Sequence, residues 1–191
     1  MNVEREIIES GIELFKEFGY DNTTVGMICK KANISKGTFY YHFQNKNDII
    51  YGYVDSFISD INSALPEILE LDEPKEQLWA LYKYAFEHII SMNPKLLLAY
   101  YKADMDNHLK QLSPTSSGTY MYHTNAYVKI LHSLIKKCQK SGSICPAYPA
   151  EDLLISFSSA IVGTGLDWAC NNGAFDEIEH LRKIFNVIFS E

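Results

Sequence analysis

Apolar side chains recur every third or fourth position from the start of the chain. Ile7, Ile8, Gly11, Leu14, Phe15 and Phe18 form one stripe, while Glu4, Glu6, Glu9, Glu13 and Glu17 fall on the other side. That periodicity predicts a helix over 3–18 with an acidic, solvent-facing surface. The next apolar set, Val25, Ile28, Cys29 and Ala32, follows Thr23 and Thr24, either of which offers an oxygen to cap a helix over 25–31. Asn33 stands where a turn needs a residue that tolerates left-handed backbone angles. Ser35 then caps a further short helix that begins Lys36-Gly37-Thr38.

A longer helix is expected from between Asn45 and Asp48 to about Ala64, ending at Pro66. It would carry Ile49, Tyr53, Phe57 and Ile61 toward the rest of the chain. Pro74 opens another, with Leu78, Leu81, Tyr82, Ala85, Phe86 and Ile89 inward and a stop at Asn93-Pro94. Further helices are predicted over 95–109, 120–140, 150–170 and 176–189, with a breaker-rich loop at 113–118. Almost nothing reads as strand, so the fold class is all-α.

Charge singles out one stretch. The chain is acidic at −7, yet residues 22–46 hold Lys30, Lys31, Lys36 and Lys46 without one Asp or Glu, so the remainder carries −11. Helix, short turn and second helix make a helix-turn-helix, and a basic island of this shape matches a phosphate backbone. Gly37 inside the first turn of the second helix lowers helix stability by about 1 kcal/mol relative to Ala. A bare backbone there permits close approach of a ligand such as DNA.

Ile8 to Ile49 resembles the TetR family of transcriptional regulators. The likeness rests on Leu14-Phe15, Phe18-Gly19-Tyr20, Thr23-Thr24, Ile28, Ile34 through Tyr40, His42-Phe43 and Lys46. Ser-Lys-Gly and Tyr-Tyr-His-Phe are similar to the multidrug-responsive branch. Asn33 and Cys29 depart from the family's common glycine and alanine, and both are small enough to fit. The resemblance implies a three-helix DNA-binding domain over 1–46 and a six-helix ligand-binding and dimerisation domain over 47–191, nine helices in all. It also implies an operator of double-stranded DNA, a homodimer and a small hydrophobic effector.

Candidate DNA-binding residues are Thr24, Val25, Ser35, Lys36, Gly37, Thr38, Tyr40, Tyr41, His42 and Lys46. Lys36 leads the recognition helix, Thr38 is short enough for a phosphate or thymine methyl, and the tyrosines pair an apolar ring with a hydroxyl. His42 and Lys46 match the family's phosphate-contacting positions. Phe39 and Phe43 are expected in the core.

The aromatics Trp79, Tyr82, Phe86, Tyr100, Tyr101, Tyr122 and Trp168 are candidates to line an effector pocket, with core packing the competing reading for each. The helix over 150–170 is apolar nearly all round, and Gly163 and Gly165 would admit a partner backbone. With the last helix it suggests a dimer interface through Phe157, Ile161, Trp168, Leu181, Ile184, Phe185 and Ile188. Ordinary intramolecular core competes for the same residues.

No converging nucleophile, metal triad or phosphate loop marks an enzyme, and neither a cofactor nor a metal is indicated. Cys29, Cys138, Cys145 and Cys170 show no zinc or disulfide spacing; Cys138 and Cys145 flank a turn where redox sensing is conceivable. No apolar run is read as membrane-spanning and the start is too polar for a secretory signal, so a cytoplasmic location is expected. A repressor is the leading reading. An activator, or a ligand-binding protein without DNA function, would use the same body.

Overall fold

The computed structural model describes residues 2–111 and 126–191, with backbone alone for 57–59, 104, 106–111 and 126. Among the described residues there are nine helices and no strand: α1 (Val3–Phe18), α2 (Val25–Lys31), α3 (Lys36–His42), α4 (Asn47–Leu69), α5 (Pro74–Ile90), α6 (Pro94–Gln111), α7 (Ala126–Ser141), α8 (Ala150–Cys170) and α9 (Glu177–Ile188). The 113–118 loop and Tyr122 lie outside the described residues.

α1 to α3 and the start of α4 form a small head. Its core is Ile7, Ile8, Ile12, Phe15, Ile28, Phe39, Phe43, Ile49 and Ile50, all buried. α1 and α4 cross closely because glycines face the partner helix. A Cβ on Gly11 would meet Ile49 at 2.8 Å, and one on Gly52 would meet Ile8 at 2.9 Å. Phe18, expected on the buried stripe, is 46% exposed at the end of α1.

The head core does not stop at the head. Ile89 and Met92 from the end of α5, Leu96 and Leu97 from α6, and Ala169 from α8 pack into it. A second cluster fills the body with Leu78, Leu81, Tyr82, Phe86, Leu134, Ile135, Phe157, Leu181, Phe185 and Phe189. α4 spans both. Tyr53 stacks on His88 of α5 with ring centroids 4.6 Å apart, its hydroxyl lies 2.7 Å from Ser91 Oγ, and Ile61 is buried in the body.

α4 continues beyond Pro66, which sits inside the helix. Two contacts account for the extra turn. Ile68 is buried in the body core, and Gln77 Nε2 donates to the carbonyls of Leu69 and Leu71 at 3.0 and 2.6 Å. The missing Pro66 N–H is a local loss that tertiary contacts outweigh.

α8 is long and apolar enough, by length and composition, to cross a membrane, contrary to the reading that no run reaches that length. In this fold it packs against α6, α7 and α9. Cys138 is buried and Cys145 half-buried, both as free thiols, and burial raises the Cys138 thiol pKa above its ordinary value. Among the described residues no group of His, Cys, Asp and Glu gathers at metal-binding distance.

Candidate nucleic-acid interface

Two capped helices and the turn between them build the interface. Thr24 is the cap of α2: its Oγ1 accepts from the Met27 amide at 3.3 Å. Thr23 has a different task. It is buried, and its hydroxyl lies within hydrogen-bonding distance of the carbonyls of Leu14 at 3.2 Å and Gly19 at 2.9 Å, tying the turn to α1. Asn33 takes a positive φ of 52°, the left-handed conformation that its side chain tolerates. Ser35 Oγ accepts from the Thr38 amide at 3.0 Å and lies 2.9 Å from Thr38 Oγ1, fixing the first turn of α3.

Gly37 has no internal reason to be glycine. A Cβ there would meet only Ser35 Oγ, at an ordinary 3.5 Å. Lys36 is exposed and its Cε lies 4.0 Å from where a Gly26 Cβ would stand, so its stem runs toward the start of α2. Tyr41 is 85% exposed and Tyr40 is exposed with its ring edge-on to Phe39 at 5.4 Å. Large aromatic surface left in water beside unpaired lysines has no stabilising role within the chain. His42 is half-buried between the rings of Tyr41 and Phe43. Val25 is half-buried against the head core.

The four lysines of the island are not equivalent. Lys31 Nζ pairs with Glu13 Oε2 at 2.8 Å, so the acidic face of α1 neutralises it in part. Lys46, expected to anchor a phosphate, instead donates to the carbonyls of Tyr20 at 2.6 Å and Thr23 at 3.2 Å. Its ammonium also sits 4.1 Å from the Tyr20 ring centroid. Two of its three donors are committed to holding the α1–α2 turn on the start of α4. Tyr20 reinforces the pin by donating its hydroxyl to Asn47 Oδ1, and burial pushes that phenol up to about 12. Lys30 and Lys36 remain exposed, with no ion pair among the described residues. Asp48, an acid beside this basic surface, accepts from the amides of Gln44 at 2.7 Å and Asn45 at 3.0 Å, organising the α3–α4 turn. Nothing in the local pattern distinguished the roles of Thr23, Lys46 and Asp48, because each depends on a contact made across the fold.

Among the described residues, the aromatics proposed for an effector pocket do not converge. Tyr82 and Phe86 are core residues, and with Trp79, Phe157, Ile161 and Leu181 they line a crevice too tight to admit a water molecule. Ligand pockets begin at roughly 300 Å³. Trp79 is further occupied by Arg182, whose guanidinium lies 4.9 Å from its ring while pairing with Glu76. Tyr100, Tyr101 and Trp168 pack instead against the cluster shared with the head.

The interface residues also divide. Phe157, Leu181 and Phe185 are buried at 0%, 2% and 0% among themselves and Phe189, so they belong to the chain's own core and present nothing to a partner. Ile161 is buried with them. Gly165 is used internally, since a Cβ there would meet the Tyr101 hydroxyl at 2.5 Å. The apolar surface that α8 and α9 leave in water is Ile155, Leu166 and Val187, flanked by half-buried Val162, Ile184 and Ile188. Gly163 faces open space. Trp168 is half-buried against Gly173.

Residues 7–51, the head with its capped helix pair, match the model of bacterial regulatory proteins of the tetR family. The likeness to the TetR family thus covers the head, residues 7–51. The chain is similar to the biofilm operon icaADBC HTH-type negative transcriptional regulator IcaR of Staphylococcus aureus, 33% identical over 95 residues, 50% of each chain. The IcaR of Staphylococcus epidermidis is 29% identical over 119 residues, 58% of this chain and 63% of that one. The chain thus spans between half and 63% of the length of these curated relatives. Over nearly its full length the TetR fold is matched by solved structures. FadR from Bacillus subtilis, in complex with stearoyl-CoA, has a TM-score of 0.65 at 22% identity, covering 97% of both chains. Thermus thermophilus FadR, a TetR family repressor in complex with lauroyl-CoA, has a TM-score of 0.67 at 20% identity, covering 97% of this chain and 92% of that one. At such identities the likeness shows the fold alone.

Proposed function

We propose that this protein is a transcriptional repressor that binds a near-palindromic DNA operator as a homodimer and is released by a small lipophilic effector. The observation that carries the reading is the open first turn of α3. Lys36 has no ion pair, Gly37 has no internal contact that requires glycine, and Tyr40 and Tyr41 stand in water beside them. In this reading α3 enters the major groove, the lysines and tyrosine hydroxyls meet phosphates, and the bare backbone at Gly37 approaches the base edges. Residues 1–46 read DNA and 47–191 pair and sense, acting in the cytoplasm of a bacterial cell.

One recognition helix reads one half-site, so a symmetric operator needs two copies. The exposed apolar set Ile155, Leu166 and Val187 on α8 and α9 supplies a self-complementary surface for that pairing. Repression rather than activation is favoured by the IcaR relatives, which are negative regulators. A lipophilic effector is favoured by the acyl-CoA complexes of the FadR neighbours.

Fluorescence anisotropy with labelled DNA from upstream of the protein's own gene tests the reading. Saturable, salt-sensitive binding by a dimer is expected, and Gly37→Leu should abolish it. Absence of binding by the wild-type protein at micromolar concentration and low salt would overturn it.

A further inference from the structure

A cleft of about 750 Å³ opens between head and body. One wall is the end of α1 with the turn through Asn22. The other is the first half of α6, and Asn47 at the start of α4 closes one edge. The walls are amphipathic. Phe18, 46% exposed, lines the cleft together with Leu98 and Ala99. Around this apolar strip stand Lys16 from the head and Lys95 and Lys102 from α6. Among the described residues none of the three forms an ion pair, although Glu17 and Asp21 also line the cleft. Against Glu17 and Asp21 the three lysines leave the lining at a net +1 in a chain of net charge −7, a locally positive field that favours an anion.

We propose that this cleft binds a small amphipathic anion, a phosphate or carboxylate carrying a short apolar group, and that its occupancy is coupled to DNA binding. The charged end would be held by Lys16, Lys95 and Lys102 and the apolar end by Phe18 and Leu98. The volume suits a ligand of ordinary metabolite size. Coupling follows from what the cleft touches. The turn that forms its wall is pinned to α4 by Lys46 and by the Tyr20–Asn47 hydrogen bond, and it leads directly into Thr24, the cap of α2. A guest wedged between this turn and α6 changes how the head sits on the body, and by linkage DNA changes the guest's affinity by the same factor. The coupling rests on the DNA-binding reading above; the site itself does not.

Phenyl phosphate serves as the probe, with benzyl alcohol as its uncharged counterpart, on the 191-residue protein at matched ionic strength. Methyl NMR should show saturable shifts at Leu98, Ala99 and Ala103, with Kd of roughly 1 mM or tighter and benzyl alcohol at least about tenfold weaker. The double variant K95Q/K102Q should weaken phenyl phosphate roughly tenfold and leave operator affinity without the probe unchanged. Ala99→Trp, which fills the cleft and keeps the lysines, should block the probe as well. Circular dichroism confirms that both variants fold. Saturating probe should change operator affinity at least about threefold in the wild type and not in K95Q/K102Q. Shifts that never saturate, or binding indifferent to both variants, would overturn the site. Unchanged operator affinity at saturation would overturn the coupling. If the wild type bound no operator at all, the DNA reading would fail while the NMR titration still decided the cleft.

Discussion

If the proposed DNA-binding reading holds, the salt dependence of operator binding should separate lysines free to meet phosphates from those the fold has already engaged. The basic stretch holds four lysines, but Lys31 pairs with Glu13 at 2.8 Å and Lys46 donates to the carbonyls of Tyr20 and Thr23 at 2.6 and 3.2 Å. Lys30 and Lys36 are left free, which makes four uncommitted cations in a dimer. At about 0.9 per phosphate neutralised, log K should fall with log salt at a slope of about −3.6, a loss of roughly 150-fold between 50 and 200 mM. If all four lysines of each protomer met phosphates the slope would be about −7, a loss of roughly 20,000-fold. The assay is an anisotropy titration of operator DNA across that salt range, repeated for three variants. Lys36→Gln should bring the slope to about −1.8, whereas Lys31→Gln should leave it nearly unchanged. Lys46→Gln should act on the fold, lowering stability by about 1–2 kcal/mol through the lost charge-assisted hydrogen bonds. A wild-type slope near −7, or equal effects of Lys31→Gln and Lys36→Gln, would refute this division.

Gly37→Leu should reduce operator affinity at least about 100-fold while leaving the melting temperature within a few degrees of the wild type, because the new Cβ meets only Ser35 Oγ at 3.5 Å. Light scattering should report about twice the 21.8 kDa chain mass for the wild type and a single chain for a Leu166→Glu/Val187→Lys variant with intact helical content. Phe157→Ala should instead cost about 3–5 kcal/mol in urea unfolding, since that ring is in the chain's own core. Glu177 is 2% exposed beside Tyr101, and burial raises its carboxyl to about 8. The folded state therefore holds a proton that the unfolded chain gives up near its ordinary value, and stability falls as pH rises from about 4.5 to 8. Glu177→Gln should remove that fall and stabilise the protein at pH 8 by on the order of 3 kcal/mol, read by urea unfolding at pH 5 and pH 8.

The local patterns carried the elements well. The caps Thr24 and Ser35, the left-handed Asn33, and the inward face of α5 are short-range properties, and each stands as its residue type requires. What failed was mostly the question of which neighbour a side chain meets. An all-round apolar helix says that α8 needs several partners, but not that Phe157 turns to α9 while Leu166 turns to water. Lys46 looked like a free cation because its acceptors lie 23 and 26 residues earlier in the chain. Pro66 was read as a stop because the Gln77 amide that relieves the last turn comes from the next helix. Aromatic content between Trp79 and Trp168 belonged to two separate clusters, a partition invisible to composition.

That partition bears on how a signal could reach DNA. The head has no closed core of its own: Ile89, Met92, Leu96, Leu97 and Ala169 complete it from the body, and Ile49 and Ile50 of α4 sit at its centre. A head held only by a linker would swing freely, and an effector in the body would have nothing to push. Here any displacement of α4, or of Leu96 and Leu97 at the start of α6, must move side chains of the same buried cluster, because packed interiors transmit strain rather than absorb it. The same contacts forbid a large independent rotation. The switch is therefore expected to be a shift of the whole three-helix head with α4 and α6, leaving the α2–α3 geometry fixed by its own caps. Distances between spin labels within one head should stay constant on release from DNA while distances between the two heads change. A change within the head would mean that the caps, and not the α4–α6 contacts, are the moving part.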